Sequence, residues 1–248
     1  MAFPRGSSHR PLHEGRATVL VLAGLLAAGS AGGPASALPA VESQVREIRE
    51  HPLLAHSVSG LRVKSSLPLY EFLLSHPDIT AALARALGAA RYRVSPDGEN
   101  GYRGEDGSGA KGHFILVERQ EGRRVYFARG TYEKPLLPTI AGRIVLVLEY
   151  RTNGPGDPIV ENRIQGFVQI DTPIVGTLAR LARPLVKRAL DKKVHHLFEK
   201  VARLLDAASA DPPEALRRLA EDGPRPSQDL EALRQLLEAE RTRRAAAN

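Results

Sequence analysis

The chain has 248 residues, 25% of them charged, and basic residues outnumber acidic ones by seven at neutral pH. It contains no cysteine, which excludes disulfides, thiolate metal sites and cysteine nucleophiles and leaves stability to a packed core. The basic surplus is mild and lacks the dense Lys/Arg clusters with interleaved aromatics of a nucleic-acid binder, so nucleic acid is not an expected partner; an anionic membrane surface is compatible with it.

Arg5, Arg10 and Arg16 against Glu14 make the start positive, Ala17 to Ala31 is an apolar run, and Ala35-Ser36-Ala37 offers a small-x-small cleavage site. Residues 1–37 are therefore expected to be a secretory signal cut near Ala37, with a periplasmic or extracellular chain beginning at Leu38. A buried helix or a retained anchor are the alternatives, although about twenty apolar residues are needed to span a bilayer. With no cysteine there is no lipobox, and without residues 1–37 the chain keeps a surplus of five basic residues.

Residues 38–55 form a lead-in: Val41, Val45 and Ile48 at helical spacing predict a short amphipathic helix stopped by His51-Pro52. His56 to Val63 reads as a strand, with Val58, Leu61 and Val63 apolar. Ser66-Leu67-Pro68 then opens a helix through Leu74, and His76-Pro77-Asp78 breaks it and starts another carrying Ile79, Leu83, Ala86 and Leu87 before Gly88. Beyond Gly88 the period becomes extended, with strands expected at 91–95, 102–104, 113–119, 124–131, 143–152 and 158–171, separated by turns such as Glu121-Gly122. Strands this closely spaced, with no helices between them, imply an antiparallel meander and not βαβ units.

In the last two strands Ile144, Leu146, Leu148 and Tyr150 make one face, and Val160, Asn162, Ile164, Gly166, Val168 and Ile170 another, so one buried face of a half-solvated sheet is expected. Asp171-Thr172-Pro173 caps a long helix whose apolar stripe includes Ile174, Leu178, Leu181, Leu185, Leu190, Val194, Leu197, Val201 and Leu204, with Pro184 expected to kink or split it. Residues 209–248 read as a charged helical tail that docks weakly or not at all on the rest.

Familiar catalytic signatures are missing. Gly107 to Gly112 matches GxGxxG but is followed by the strand-like His113 to Val117, where a dinucleotide fingerprint needs a helix, so the segment from Asp97 to Gly112 reads as a flexible hairpin that could gate a cavity. There is no GxSxG or HExxH, and no cofactor is implied. Asp191, His195 and Glu199 share a helix face, but with no further strong ligand nearby they read as a solvated face and not a metal site.

The segments SLPLYEFLLSHPDITAALARAL, GRIVLVLEY and NRIQGFVQI, together with the long helix beginning DTPIVGTLARLARPLVKRAL, resemble in their order the START-like superfamily, which includes polyketide cyclases. The resemblance covers about Val58 to Leu205 and rests on element order, since this superfamily has no short signature. It implies an α+β helix-grip fold over residues 56–208, a curved antiparallel sheet wrapped on a long C-terminal helix. It also implies a hydrophobic small molecule or lipid held in a cavity between the two. The implied ligand-binding residues are Tyr102, His113, Tyr126, Arg143, Tyr150, Leu178, Leu181 and Leu185.

Tyr102, His113, Tyr126, Arg143 and Glu149 are also of the right kind for acid/base work in a cyclase- or hydrolase-like enzyme, the less favoured reading, and half of them should face solvent by strand alternation. A third reading is a non-enzymatic envelope module that docks an anionic membrane or a protein through Arg180, Arg183, Lys187 and Arg188, opposite the apolar stripe.

Overall fold

A computed structural model describes residues 38–247, except 99, 108, 134–138, 155 and 173–175; of residues 38, 39, 176–190, 192 and 193 it describes the backbone only. The expected signal, residues 1–37, lies outside the described residues. Among them, no helix is long and apolar enough to cross a membrane.

In chain order the elements are α1 (Leu38–Glu50), β1 (Leu54–Lys64), α2 (Leu67–Ser75), α3 (Pro77–Ala86), β2 (Arg93–Pro96), β3 (Gly101–Glu105), β4 (Ala110–Gln120), β5 (Arg123–Tyr132), β6 (Ile140–Arg151), β7 (Ile159–Ile170), α4 (Gly176–Ala210), α5 (Pro212–Glu221) and α6 (Ser227–Ala246). The strands form one antiparallel sheet in the order β1-β7-β6-β5-β4-β3-β2. From β2 to β7 it is a meander. The helix pair α2–α3 carries the chain from β1, at one edge, to β2 at the other, which is the helix-grip arrangement. The segment expected to be a flexible hairpin, Asp97 to Gly112, contains all of β3 and the start of β4.

Turn chemistry sets the hairpins. Between β4 and β5, Gly122 adopts φ +65°, and a Cβ there would meet the Tyr150 carbonyl oxygen at 2.8 Å, so both conformation and space require glycine. In β1, Gly60 at φ +73° sits in the register shift between Val58 and Leu61.

Two apolar cores follow from strand alternation. On the concave face Leu146, Leu148, Tyr150, Val160 and Ile164 meet α2, α3 and the later helices through Leu69, Leu83, Val194, Phe198, Leu219 and Leu237. On the opposite, convex face Val125, Phe127, Val145 and Val147 are covered by Val45 and Ile48 of α1. This corrects the half-solvated sheet: the middle of β6 is buried on both sides, and the lead-in helix is the cover.

Two further expectations change. α4 is not split at Pro184 but runs as a single helix of 35 residues. The C-terminal tail is not weakly docked: Leu219, Leu233 and Leu237 of α5 and α6 are at most 1% exposed and belong to the main core. Its charges had suggested a solvated helix, yet three or four apolar residues on one side suffice to bury it.

Candidate functional site

Strand register sorts the expected site residues onto two faces. Tyr126 pairs with Leu146 and Leu116, and Tyr102 with Phe114, so both share the concave face with Tyr150, which pairs with Asn162. His113 and Arg143 are one residue out of phase. His113 pairs with Arg103 and Arg129, and Arg143 with Arg129 and Gln169, on the face that α1 covers. Their assignment to the ligand cavity is therefore corrected, since side chains alternate along a strand. Arg143 instead donates to both oxygens of Asp171, at 2.8 to 3.2 Å, and lies 3.9 Å from Glu47 of α1, while His113 lies 3.6 Å from Asp97. Glu149 shares the convex parity. Leu178, Leu181 and Leu185, and the basic set Arg180, Arg183, Lys187 and Arg188, have side chains outside the described ones.

On the concave face an aromatic series crosses β3, β4 and β5. Tyr102 stacks on Phe114 with centroids 5.3 Å apart, and Phe114 meets Tyr126 edge-on at 6.5 Å. Burial raises the pKa of both phenols, pushing Tyr126 up to about 12, and the carboxylates of Asp78 and Asp229 add to the rise at Tyr102. Both stay protonated at physiological pH and so keep an O–H to donate. Neither hydroxyl has a hydrogen-bond partner among the described residues.

Deeper along the same face the polar groups are paired with one another. The Tyr70 hydroxyl donates to Asn162 Oδ1 at 2.6 Å, and Asn162 Nδ2 donates to the carbonyls of Val160 at 3.0 Å and Leu61 at 3.4 Å. Tyr150 donates to Glu71 at 2.8 Å, and the same carboxylate lies 3.7 Å from Arg124, whose guanidinium sits 5.5 Å from the Tyr150 ring centre. Burial, and for Tyr150 the bond to Glu71, moves both pKa values well above the ordinary phenol range. The Arg124 side chain is 3% exposed; it also donates to the Gln120 and Arg123 carbonyls, while its Nε has no partner.

Toward the other end of this face polarity falls away. Ala110, Phe114, Ala128, Ile144 and Val168 are buried, and a hollow of about 50 Å3 opens beside Ala110, Tyr132, Ile140, Ile144, Val168 and Ile170. By itself it has room for a few water molecules. Between the two ends lies Gly166, paired with His56 on β1 and with Leu146 on β6. Its φ is not left-handed, and a Cβ built there would find no atom of the described residues within 4 Å. His56, paired with Gly166, donates from Nε2 to Asp191 of α4 at 2.6 Å and is 9% exposed. Asp191 thus belongs to a cross-element pair, and His195 of the expected solvated trio donates from Nδ1 to the Asp191 carbonyl at 2.8 Å.

Tyr70, Glu71, Arg124, His56 and Asp191 are the concave-face residues that sequence reasoning did not select. One signal was present. Asn162 and Gly166 interrupt the apolar set of β7, and both mark places where this face stops being a simple core.

No family model matches the chain, and no curated protein matches it. Among solved structures, a conserved protein from Geobacillus kaustophilus is similar over 62% of this chain and 97% of its own, with 11% identity and a TM-score of 0.42. Ara h 8.0201 is similar over 62% of this chain and 99% of its own, with 12% identity and a TM-score of 0.37. At these scores neither likeness carries functional weight. The fold is defined by the strand order, the position of α2–α3 and the seating of α4 on the concave face.

Proposed function

We propose that this is an exported protein that binds a hydrophobic small molecule or lipid between the concave face of its sheet and α4, in the manner of START-like helix-grip proteins. The observation that supports it most is Gly166, which leaves a central concave-face position of β7 without a side chain. No atom of the described residues lies within 4 Å of where its Cβ would stand, in a face where close packing is the norm. The apolar end at Ile144, Val168 and Ile170 suits a hydrocarbon body, while Tyr102 and Tyr126 offer hydroxyl donors to a polar group. Export is the reading of the positive start, apolar run and Ala35-Ser36-Ala37 site in residues 1–37.

The test is expression of the full chain in a bacterial host, followed by periplasmic extraction, N-terminal sequencing, native mass spectrometry and organic extraction. A mature start at Leu38 and a co-purifying apolar molecule are expected. Retention in the cytoplasm would overturn export. Absence of any bound molecule, together with no uptake of N-phenyl-1-naphthylamine, a dye that brightens in apolar sites, would overturn binding.

A further inference from the structure

Arg119 of β4 and Arg124 of β5 stand directly opposite each other, and the register puts both on the concave face, level with Leu148 of β6. Like charges opposed in this way destabilise a strand pair. Among the described residues the one acid within 4 Å of either is Glu71, which lies 3.7 Å from Arg124 and already accepts the Tyr150 hydroxyl. Arg119, exposed at the rim, donates to the neutral Ser75 Oγ at 2.9 Å. α4 brings no further acid before Asp191, because residues 172–190 contain neither aspartate nor glutamate. Two guanidiniums against one carboxylate leave one positive charge unmatched.

Arg124 is the buried member of the pair. Its Nη1 donates to the Gln120 and Arg123 carbonyls, which alone would make it a clasp for the turn between β4 and β5. That role occupies one nitrogen. Nε is buried without a partner, and the contact from Nη2 to Glu71 is too long for a hydrogen bond. Nor does a clasp call for a second arginine across the strand pair. Two residues along β5, on the same face, the Tyr126 hydroxyl has no hydrogen-bond partner among the described residues, and the charges of both arginines act on it.

We infer that Arg119, Arg124 and the Tyr126 hydroxyl together hold the carboxylate of an apolar acid, with Arg119 meeting it at the rim and Arg124 and Tyr126 binding it further in. One negative charge matches the surplus, and the planar guanidinium fork matches the two oxygens of a carboxylate. A neutral head group would leave the like charges facing each other, and a dianion would bring excess negative charge beside Glu71. This rests on the binding reading above and adds the head-group class.

The experiment is displacement of N-phenyl-1-naphthylamine from the purified protein at pH 8 by dodecanoic acid, methyl dodecanoate and dodecyl phosphate. In the unaltered protein the acid is expected to displace the dye at a concentration about tenfold lower than the ester, the advantage of a charge-assisted hydrogen bond away from water, with the phosphate between them. Arg124→Gln removes the acid's advantage over the ester. Because Arg124 is buried and its loss can unfold the chain, the exposed Arg119→Gln is the second variant. It cuts the acid's advantage to about threefold or less and leaves the ester unchanged. Without ligand, Arg119→Gln keeps or raises the melting temperature, since it removes a facing like charge.

Equal displacement by acid and ester, a preference for the phosphate, or an acid preference that survives Arg119→Gln would overturn the carboxylate site and leave ligand binding standing. A lower melting temperature in Arg119→Gln with the acid's advantage intact would mark the arginine pair as purely structural. Failure of the unaltered protein to bind the dye and all three compounds would remove the binding reading, and the carboxylate site with it.

Discussion

Glu240, fully buried on α6, shows how single residues knit the end of the chain to its start. It accepts from the Ser66 backbone N–H at 2.9 Å, from Arg244 Nε at 2.8 Å and from Arg243, while Arg244 continues to Asp206 at 2.6 Å and the Lys64 carbonyl at 2.7 Å. Burial alone would raise the Glu240 pKa, but the hydrogen bonds from Arg243, Arg244 and Ser66 override it and hold the carboxyl at about 2, against an ordinary 4.5. A folded-state pKa below the unfolded one means stability that is complete above about pH 4.5 and is lost as pH falls toward 2. Glu240→Gln is expected to cost about 3 kcal/mol at pH 7, as removal of the buried carboxylate leaves the half-buried Arg243 and Arg244 without it. Urea unfolding should show that difference shrinking below pH 4.5. Tyr70→Phe leaves the Asn162 oxygen without its donor and is expected to cost about 1–2 kcal/mol in the same assay.

The helices α1 and α6 were expected to lie at the margins of the fold, and each is a wall of a core. Ile48, 1% exposed, seals Val125, Phe127, Val145 and Val147, so Ile48→Ala is expected to cost about 2–4 kcal/mol. Leu237→Ala in α6 is expected to cost a similar amount, roughly 3 kcal/mol, whereas a tail that was only loosely attached would tolerate it with almost no change. Chemical denaturation of the two variants tests both walls. Helical periodicity revealed that these segments were helices with apolar sides; it carried no information on which surface those sides would meet.

Across the whole molecule, stability and binding are linked through α4. This helix closes the main core with Val194, Phe198, Leu204 and Leu205 and touches β1 through Asp191. A ligand held between α4 and the sheet binds only the folded chain, so a saturating one is expected to raise the melting temperature. At a hundredfold excess over its Kd the gain is about 2.7 kcal/mol. Amide exchange in β6, β7 and α4 should slow in parallel, and slowing confined to α5 and α6 would place the ligand elsewhere.

Order and type of element were legible in the sequence because they depend on local periodicity. Seven strands, the helix pair broken at His76-Pro77 and the long C-terminal helix all fell near their expected positions, and their order led to the helix-grip fold. Parity within a strand was legible too, and in β6 it separates Tyr150 from Arg143. The absolute face was not, because either parity can point inward and β6 is apolar on both sides; only the seating of α1 and α4 decided that Tyr102, Tyr126 and Tyr150 face the concavity while His113 and Arg143 do not. His56–Asp191 spans 135 residues and Ser66–Glu240 spans 174, distances over which no periodic pattern links two positions. Such pairs exist only once the chain is folded, since it is the packing of α4 and α6 that brings their charges together.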